Sequence, residues 1–160
     1  MYRLSLALTA LVALTACPSD DDATCEDLCT KMDGCADSDH AECISQCTAE
    51  DLKYSNAGMD STAMLDCMIG GYSCAMSDEQ FATLILTCAA GACGQSGSCS
   101  AEDAPACCGD GIVLCLGEEW AGLTCGDVCQ MSDMTYAGTC GTEFQGQQSS
   151  TGNDVCWCYE

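Results

Sequence analysis

The chain is dominated by its cysteines, which number 19 among 160 residues. This density exceeds the level at which an exported chain is interpreted as a disulfide scaffold. Disulfides persist in oxidising compartments, and a native one stabilises a small domain by about 2–4 kcal/mol. Aromatic residues make up only 6% of the chain, so cross-links replace part of an apolar core. The sequence therefore predicts a small disulfide-rich fold in an exported protein.

A short apolar segment opens the chain and ends at a cysteine. It follows a positively charged start at Arg3, contains no acidic residue, and is too short for a membrane-spanning helix. Its end, Leu14-Thr15-Ala16-Cys17, resembles the lipobox of bacterial lipoproteins. The resemblance implies that residues 1–16 are removed as a signal peptide. It also implies that Cys17 receives diacylglycerol and palmitate, which would attach the protein to a membrane.

An ordinary secretory signal peptide cleaved after Ala16 is the alternative, because Thr15 and Ala16 also supply the small residues of such a site. Cysteine parity favours the lipoprotein. With Cys17 acylated, 18 cysteines remain and all can pair, whereas a secreted chain without the lipid keeps one odd thiol. The residue after Cys17 is Pro18 rather than Asp. By resemblance to Gram-negative lipoproteins, this implies the outer membrane, on its periplasmic or cell-surface face.

The mature chain is strongly acidic. Its 25 acidic residues all follow the cleavage site and are opposed only by Lys31 and Lys53, so the net charge is about −23 with His40 neutral. Such a surface repels nucleic acid and anionic membranes, so we expect no nucleic-acid partner. Residues 17–23 are interpreted as the lipid anchor and a short solvated tether.

Residues 24–93 carry apolar positions at helical spacing and predict a cysteine-rich module of four helices. Thr24 and Asp27 form a capping-box pattern before the first helix, and Ser77 and Gln80 form one before the fourth. The expected apolar positions are Leu28 and Met32 in the first helix, Ile44 in the second, Met64, Leu65 and Met68 in the third, and Phe81, Leu84 and Ile85 in the fourth.

Two Cys-x3-Cys pairs lie in the first two predicted helices. Residues four apart lie about 6 Å from each other along one helix face, so two such helices can be cross-linked twice in antiparallel orientation. The spacing resembles that of twin Cys-x3-Cys helical hairpins. That resemblance implies the disulfides Cys25–Cys47 and Cys29–Cys43, although Cys35 in the intervening loop departs from the pattern and the ten cysteines from Cys25 to Cys99 allow many other pairings.

Residues 94–104 are small, polar and poor in helix formers, which is typical of a linker. Ten cysteines lie between Cys25 and Cys99, and eight lie between Cys107 and Cys158. Because both numbers are even, each module could close its own disulfides. We therefore place a domain boundary here, with a second module at 105–160.

The second module has the cysteine order Cys-x3-Cys, Gly-x-Cys and Cys-x-Cys. This order resembles the cysteine-stabilised αβ motif of defensins and scorpion toxins, in which a helix is cross-linked twice to one strand. The resemblance implies an αβ-like module, and its pairs would be Cys115–Cys140, Cys125–Cys156 and Cys129–Cys158. Cys107 and Cys108 have no role in that pattern.

The likeness to the motif has limits. The segment 141–155 is longer than the usual hairpin, and Gly122 and Gly126 weaken the expected helix by about 1 kcal/mol each. Membrane-permeabilising members of the family are cationic, whereas this module has no Lys or Arg, so that activity is not implied. The face of the last strand would present Val155, Trp157 and Tyr159 as a contact surface or as a cover for Trp120.

Catalytic and metal-binding patterns are weak in this sequence. His40 is the sole histidine, and no Cys-x2-Cys pair exists, so a Cys2His2 zinc finger and a thioredoxin-type site are both excluded. An Asp-x-Asp-x-Asp-Gly calcium loop is also absent. Glu118 and Glu119 are interpreted as first-turn charges of the helix that leads to Cys125.

We therefore predict a non-enzymatic, lipid-anchored protein without cofactor or metal. Its two modules would contact a protein or ligand that the sequence does not identify. The alternative is an acidic calcium- or metal-handling lipoprotein that uses its charge or its thiols.

Overall fold

The computed structural model describes residues 22–35 and 39–160. Within these ranges the protein is a small disulfide-rich fold of helices and short antiparallel sheets, and nine disulfides join the 18 cysteines from Cys25 to Cys158. The expected signal peptide at 1–16, the lipid site Cys17 and most of the tether lie outside the described residues.

Helices occupy the N-terminal half of the described chain, and each begins at a residue whose side chain accepts a hydrogen bond from a backbone amide of the first turn. Thr24 and Ser77 complete the capping boxes that the sequence predicts, with Asp27 and Gln80 respectively. The helices are α1 (Cys25–Asp33), α2 (His40–Asn56), α3 (Ser61–Gly71) and α4 (Asp78–Ala92).

A β-hairpin follows the helices. The short strand β1 (Ala106–Cys108) pairs with β2 (Gly111–Leu116), which pairs with β3 (Glu119–Thr124). Gly117 and Glu118 join β2 to β3 with φ angles of 61° and 78°, as a tight hairpin turn with two left-handed residues requires. The expectation that Glu118 and Glu119 begin a helix is therefore wrong, because they form the turn and the first residue of β3.

The C-terminal segment places one short helix against a two-stranded sheet. Helix α5 (Cys125–Gln130) follows β3 directly, and β4 (Thr135–Gly141) pairs antiparallel with β7 (Val155–Tyr159). The long connection between these two strands contains a small hairpin of its own, β5 (Glu143–Phe144) and β6 (Gln147–Gln148).

Two pairs of disulfides have the partners that the resemblances imply. Cys25–Cys47 and Cys29–Cys43 join α1 to α2, with Cα separations of 5.6 and 5.8 Å. Cys125–Cys156 and Cys129–Cys158 join α5 to β7, with Cα separations of 5.2 and 5.6 Å. In both places, cysteines four apart on a helix match the spacing of their partners. Cys35–Cys74 and Cys67–Cys88 complete the helical half.

The implied pair Cys115–Cys140 is wrong. Cys115 lies on β2 and bonds to Cys99, because an isolated bridge between Ser98 and Glu119 holds the chain before Cys99 beside the hairpin. Cys140 bonds instead to Cys107 on β1. Of the three pairs that the resemblance implies for this segment, the structure has two, both between α5 and β7.

The two halves of the chain do not close their disulfides separately. Cys93–Cys108 and Cys99–Cys115 both cross the expected boundary, and Cys99 itself lies within the 94–104 linker. The parity argument for independent modules therefore fails, because two cysteines from each side pair across the linker and leave both totals even. Helix α4 also packs directly against β3.

Polar contacts add to this junction. The ammonium of Lys53 in α2 lies 2.8 Å from a carboxylate oxygen of Asp127 in α5. The amide of Asp110 donates to the carbonyl of Ala57 over 2.7 Å, and the hydroxyl of Tyr136 donates to the Asp110 carboxylate over 2.8 Å. Burial and this carboxylate raise the pKa of Tyr136, so its hydroxyl keeps its proton.

Candidate binding site

A cavity of about 500 Å³ lies among the four helices of the N-terminal half. Helix α2 lines it along most of its length, from its N-cap Asp39 to Tyr54, with residues that recur every three or four positions and so share one face. Ligand sites in proteins typically have volumes of 300–1,000 Å³. The cavity is therefore of a size that admits a small ligand.

The walls of the cavity are apolar and rich in methionine. Met32 from α1 and Met64 and Met68 from α3 line it, and methionine is a flexible side chain that adapts to different ligand shapes. The remaining apolar lining comes from all four helices: Leu28, Tyr54, Leu65, Phe81 and Ile85. Several of these side chains also belong to the principal core cluster, so the cavity continues the core outward to the surface.

The α2 side of the cavity is acidic. It presents Asp39, Glu42, Glu50 and Asp51, and none of the described residues that line the cavity is basic. Glu50 is neutralised in part by Lys53, whose ammonium lies 3.1 Å away. Glu42 accepts a hydrogen bond of 3.0 Å from the amide of Gln46. The cavity thus combines an apolar floor with a negatively charged rim.

Disulfides brace both sides of the cavity. Cys43 and Cys47 of α2 line it while bonded to α1, and Cys67–Cys88 joins α3 to α4. The ammonium of Lys31 in α1 donates to the carbonyl of Ile69 in α3, which connects the two helix pairs. Helices that are not cross-linked would gain stability by moving together and closing an apolar gap. The disulfides oppose that movement and keep the cavity open.

His40 serves as a connection between helices rather than as a general base. Its Nε2 lies 3.1 Å from a carboxylate oxygen of Glu26, and its Nδ1 contacts the carboxylate of Asp33. These two contacts raise the pKa of His40, with the Glu26 hydrogen bond as the larger cause. Because both ring nitrogens are engaged by α1, neither is available to take a proton from a substrate.

The described residues contain one group that could hold a metal by position, formed by the sulfurs of Cys125, Cys140 and Cys156. These sulfurs lie within 4.8 Å of one another, yet each belongs to a disulfide. A thiolate is the form of cysteine that ligates a metal, so the oxidised cluster offers no such ligand. No described group of carboxylates meets the same distance criterion.

The expected contact surface on β7 is mostly covered. Val155 and Trp157 are only partly exposed, while Tyr159 is 56% exposed. The indole of Trp157 packs on Phe144 with ring centroids 5.9 Å apart, and its Nε1 donates to the carbonyl of Gly141 over 3.0 Å. Trp157 therefore anchors the β5–β6 hairpin, and Tyr159 alone remains as a well-exposed side chain of this set.

Sequence patterns identified most apolar residues of the cavity but not the cavity itself. Leu28, Met32, Met64, Met68 and Phe81 were expected as ordinary core stripes. Whether facing stripes touch or stand apart depends on the distances between helices, which follow from the disulfide pairings. The acidic residues of α2 were the one sequence signal for the cavity. They occupy the same helix face as Cys43 and Cys47, which would otherwise be expected to be an apolar face.

No helix in the described ranges is both long enough and apolar enough to cross a bilayer. Comparison with known proteins gave no match: no family model, no curated protein and no solved structure is significantly similar to this chain.

Proposed function

We propose that the protein is an exported, lipid-anchored binding protein without catalytic activity, and that the cavity among α1–α4 is its ligand site. The cavity carries this proposal, because a disulfide-braced fold of this size keeps an apolar volume of about 500 Å³ open beside an acidic rim. A site for nucleophilic catalysis pairs a hydroxyl or thiol with an adjacent base. Among the described residues that line this cavity, neither Ser61 nor Tyr54 is hydrogen-bonded to a carboxylate, and both cysteines belong to disulfides.

The lipid anchor is proposed at Cys17. The nine disulfides of the described residues use all 18 cysteines that follow it, which supports an acylated Cys17 over a disulfide-bonded one. Nine disulfides also favour an oxidising compartment. With Pro18 after the anchor, we place the protein at the outer membrane, on its periplasmic or cell-surface face, with its N-terminal lipid as the membrane contact.

The C-terminal half is proposed as a scaffold related in geometry to the cysteine-stabilised αβ motif. Its two bonds from α5 to β7 support this, and Cys93–Cys108 fixes it to the end of α4. In this arrangement the C-terminal half holds α4 in place, while the helical half binds the ligand. None of the described clusters favours the alternative of a calcium- or metal-handling protein over this assignment.

Export of the full chain in a Gram-negative host tests the anchor. We expect intact-mass analysis to find residues 17–160 with acyl chains on Cys17 and nine disulfides, and we expect the protein to partition into detergent. The variant Cys17→Ala should lose the added mass and enter the aqueous phase. An unmodified Cys17 in the exported protein would overturn the lipid anchor.

Native mass spectrometry of the Cys17→Ala chain, incubated with a total organic extract of the host cells, tests the binding role. We expect one bound small molecule per chain. Substitution Ile85→Trp places a larger ring in the cavity and should abolish the adduct, while Leu86→Trp on the same helix, whose residue does not line the cavity, should retain it. An adduct that persists in Ile85→Trp would place the binding site elsewhere.

A further inference from the structure

We infer that the cavity takes a single-chain cationic amphiphile, with one extended hydrocarbon chain and an ammonium head group. This inference rests on the proposed binding function and specifies the ligand class. Three features of the site support it: its length along α2, its flexible apolar walls, and the negative charge on one side only.

The length of the cavity suits an extended chain. From Asp39 to Tyr54, α2 borders the cavity over about 22 Å, given a rise of 1.5 Å per residue. An extended hydrocarbon chain can lie along that length in contact with apolar side chains from all four helices.

The walls suit a hydrocarbon chain. Met32, Met64 and Met68 line the cavity together with aliphatic and aromatic side chains. Burial of each methylene group from water contributes about 0.8 kcal/mol, so a chain of ten or more carbons would supply most of the affinity. Flexible thioether side chains can follow such a ligand without a fixed shape.

The rim determines the head group. Glu42 and Asp51 lie on the α2 side, neither forms a salt bridge in the described structure, and no basic side chain among the described residues lines the cavity. Of the basic residues of α2, Lys53 is already engaged by Glu50 and Asp127, and His40 by Glu26 and Asp33. A positively charged head group gains Coulomb energy at this rim, whereas a sulfate or carboxylate head group is repelled.

A matched series of twelve-carbon ligands tests the inference. Isothermal titration of the oxidised full chain carrying Cys17→Ala would compare dodecyltrimethylammonium, dodecyl maltoside and dodecyl sulfate, each below its micelle-forming concentration. We expect one binding site, with the ammonium ligand bound roughly five- to tenfold more tightly than the maltoside and the sulfate bound most weakly. Added salt should reduce the difference.

Charge variants distinguish the effect of the rim carboxylates on affinity from the effect of the protein's overall negative charge. The double variant Glu42→Gln and Asp51→Asn should weaken binding of the ammonium ligand to the level of the maltoside, with the affinity for the maltoside unchanged. The control Asp66→Asn and Glu102→Gln removes two exposed charges outside the cavity and should leave all three affinities unchanged. An equal effect of both double variants would overturn the role of the rim.

The outcomes also distinguish this inference from the proposed function. Binding of all three ligands with equal affinity, lost in Ile85→Trp, would refute the cationic ligand but retain the binding site. Tighter binding of dodecyl sulfate would likewise refute the cationic ligand. Absence of binding by any ligand would refute both. Helical circular dichroism of each variant, matched to the parent chain, ensures that a lost affinity reflects the site rather than unfolding.

Discussion

Gly122 in β3 lies directly against the backbone of Ala89 in α4. A Cβ atom on Gly122 would stand 2.5 Å from the carbonyl carbon of Ala89 and 2.5 Å from the amide nitrogen of Ala90. Backbone atoms cannot move aside as the end of a flexible side chain can, and Ala89 is fully buried. The close packing of the helical half on the β-hairpin therefore requires a residue without a side chain at position 122.

Substitution Gly122→Ala should lower the free energy of unfolding by about 1–3 kcal/mol, the usual cost of overpacking. Guanidinium unfolding with all disulfides intact would measure it. Gly126→Ala is the matched control, because its added Cβ lies 3.8 Å from the nearest atom, the hydroxyl of Thr124, and alanine favours helix α5 by up to about 1 kcal/mol. Equal stability of Gly122→Ala and the parent would contradict the close contact.

Disulfide mapping should find Cys99–Cys115 and Cys107–Cys140. Peptic digestion of the non-reduced protein followed by mass spectrometry would identify the linked peptides, since Lys and Arg number only three and trypsin gives few cuts. A linked peptide containing Cys115 and Cys140 would instead support the complete αβ motif of the toxins. That pairing would also exclude Cys99–Cys115, which joins the linker to the hairpin.

Replacement of Cys129 and Cys158 by alanine should lower the free energy of unfolding by about 2–5 kcal/mol. The helical circular dichroism signal should persist, because α1–α4 keep four disulfides of their own and contribute most of the helical residues. Near-ultraviolet signals from Trp157 on β7 should weaken. Loss of the whole helical signal would show that both halves unfold as one cooperative unit.

The imidazole of His40 should have a pKa above its ordinary value of 6.5. The chemical shifts of its carbon-bound ring protons report this titration. Since the folded state raises the pKa, the contacts with Glu26 and Asp33 stabilise the fold fully below the unfolded pKa, and that contribution is lost as the pH rises through the folded value. Proton NMR can follow the sole histidine without assignment. Glu26→Gln should move the titration towards pH 6.5, whereas Glu79→Gln should not.

Sequence patterns predicted the parts of the fold that depend on residues close together in the chain. The capping boxes at Thr24 and Ser77 fix the starts of α1 and α4, and cysteines four apart match the partners that an adjacent antiparallel helix or strand presents. The hairpin was missed because the run Ile112-Val113-Leu114 suits a buried strand or a buried helix equally. Glu118 in a left-handed conformation also gives no turn signal of its own.

The cavity was missed for a different reason. A stripe such as Met64, Leu65 and Met68 predicts which face of α3 is buried, yet it does not say how far away the facing helix lies. That distance is fixed by cross-links between residues remote in sequence, such as Cys35–Cys74 with 39 residues of separation. The ligand site is therefore a property of the disulfide pattern as a whole.

The same pattern constrains how the protein matures. In the part of the chain that the structure describes, none of the nine disulfides joins cysteines that are consecutive in the sequence. An oxidant that joined thiols in their order of synthesis would therefore form no native bond. Cys93 and Cys99 cannot form their native bonds until Cys108 and Cys115 have been made. The native set thus requires either folding before oxidation or the reshuffling of early bonds by thiol–disulfide exchange.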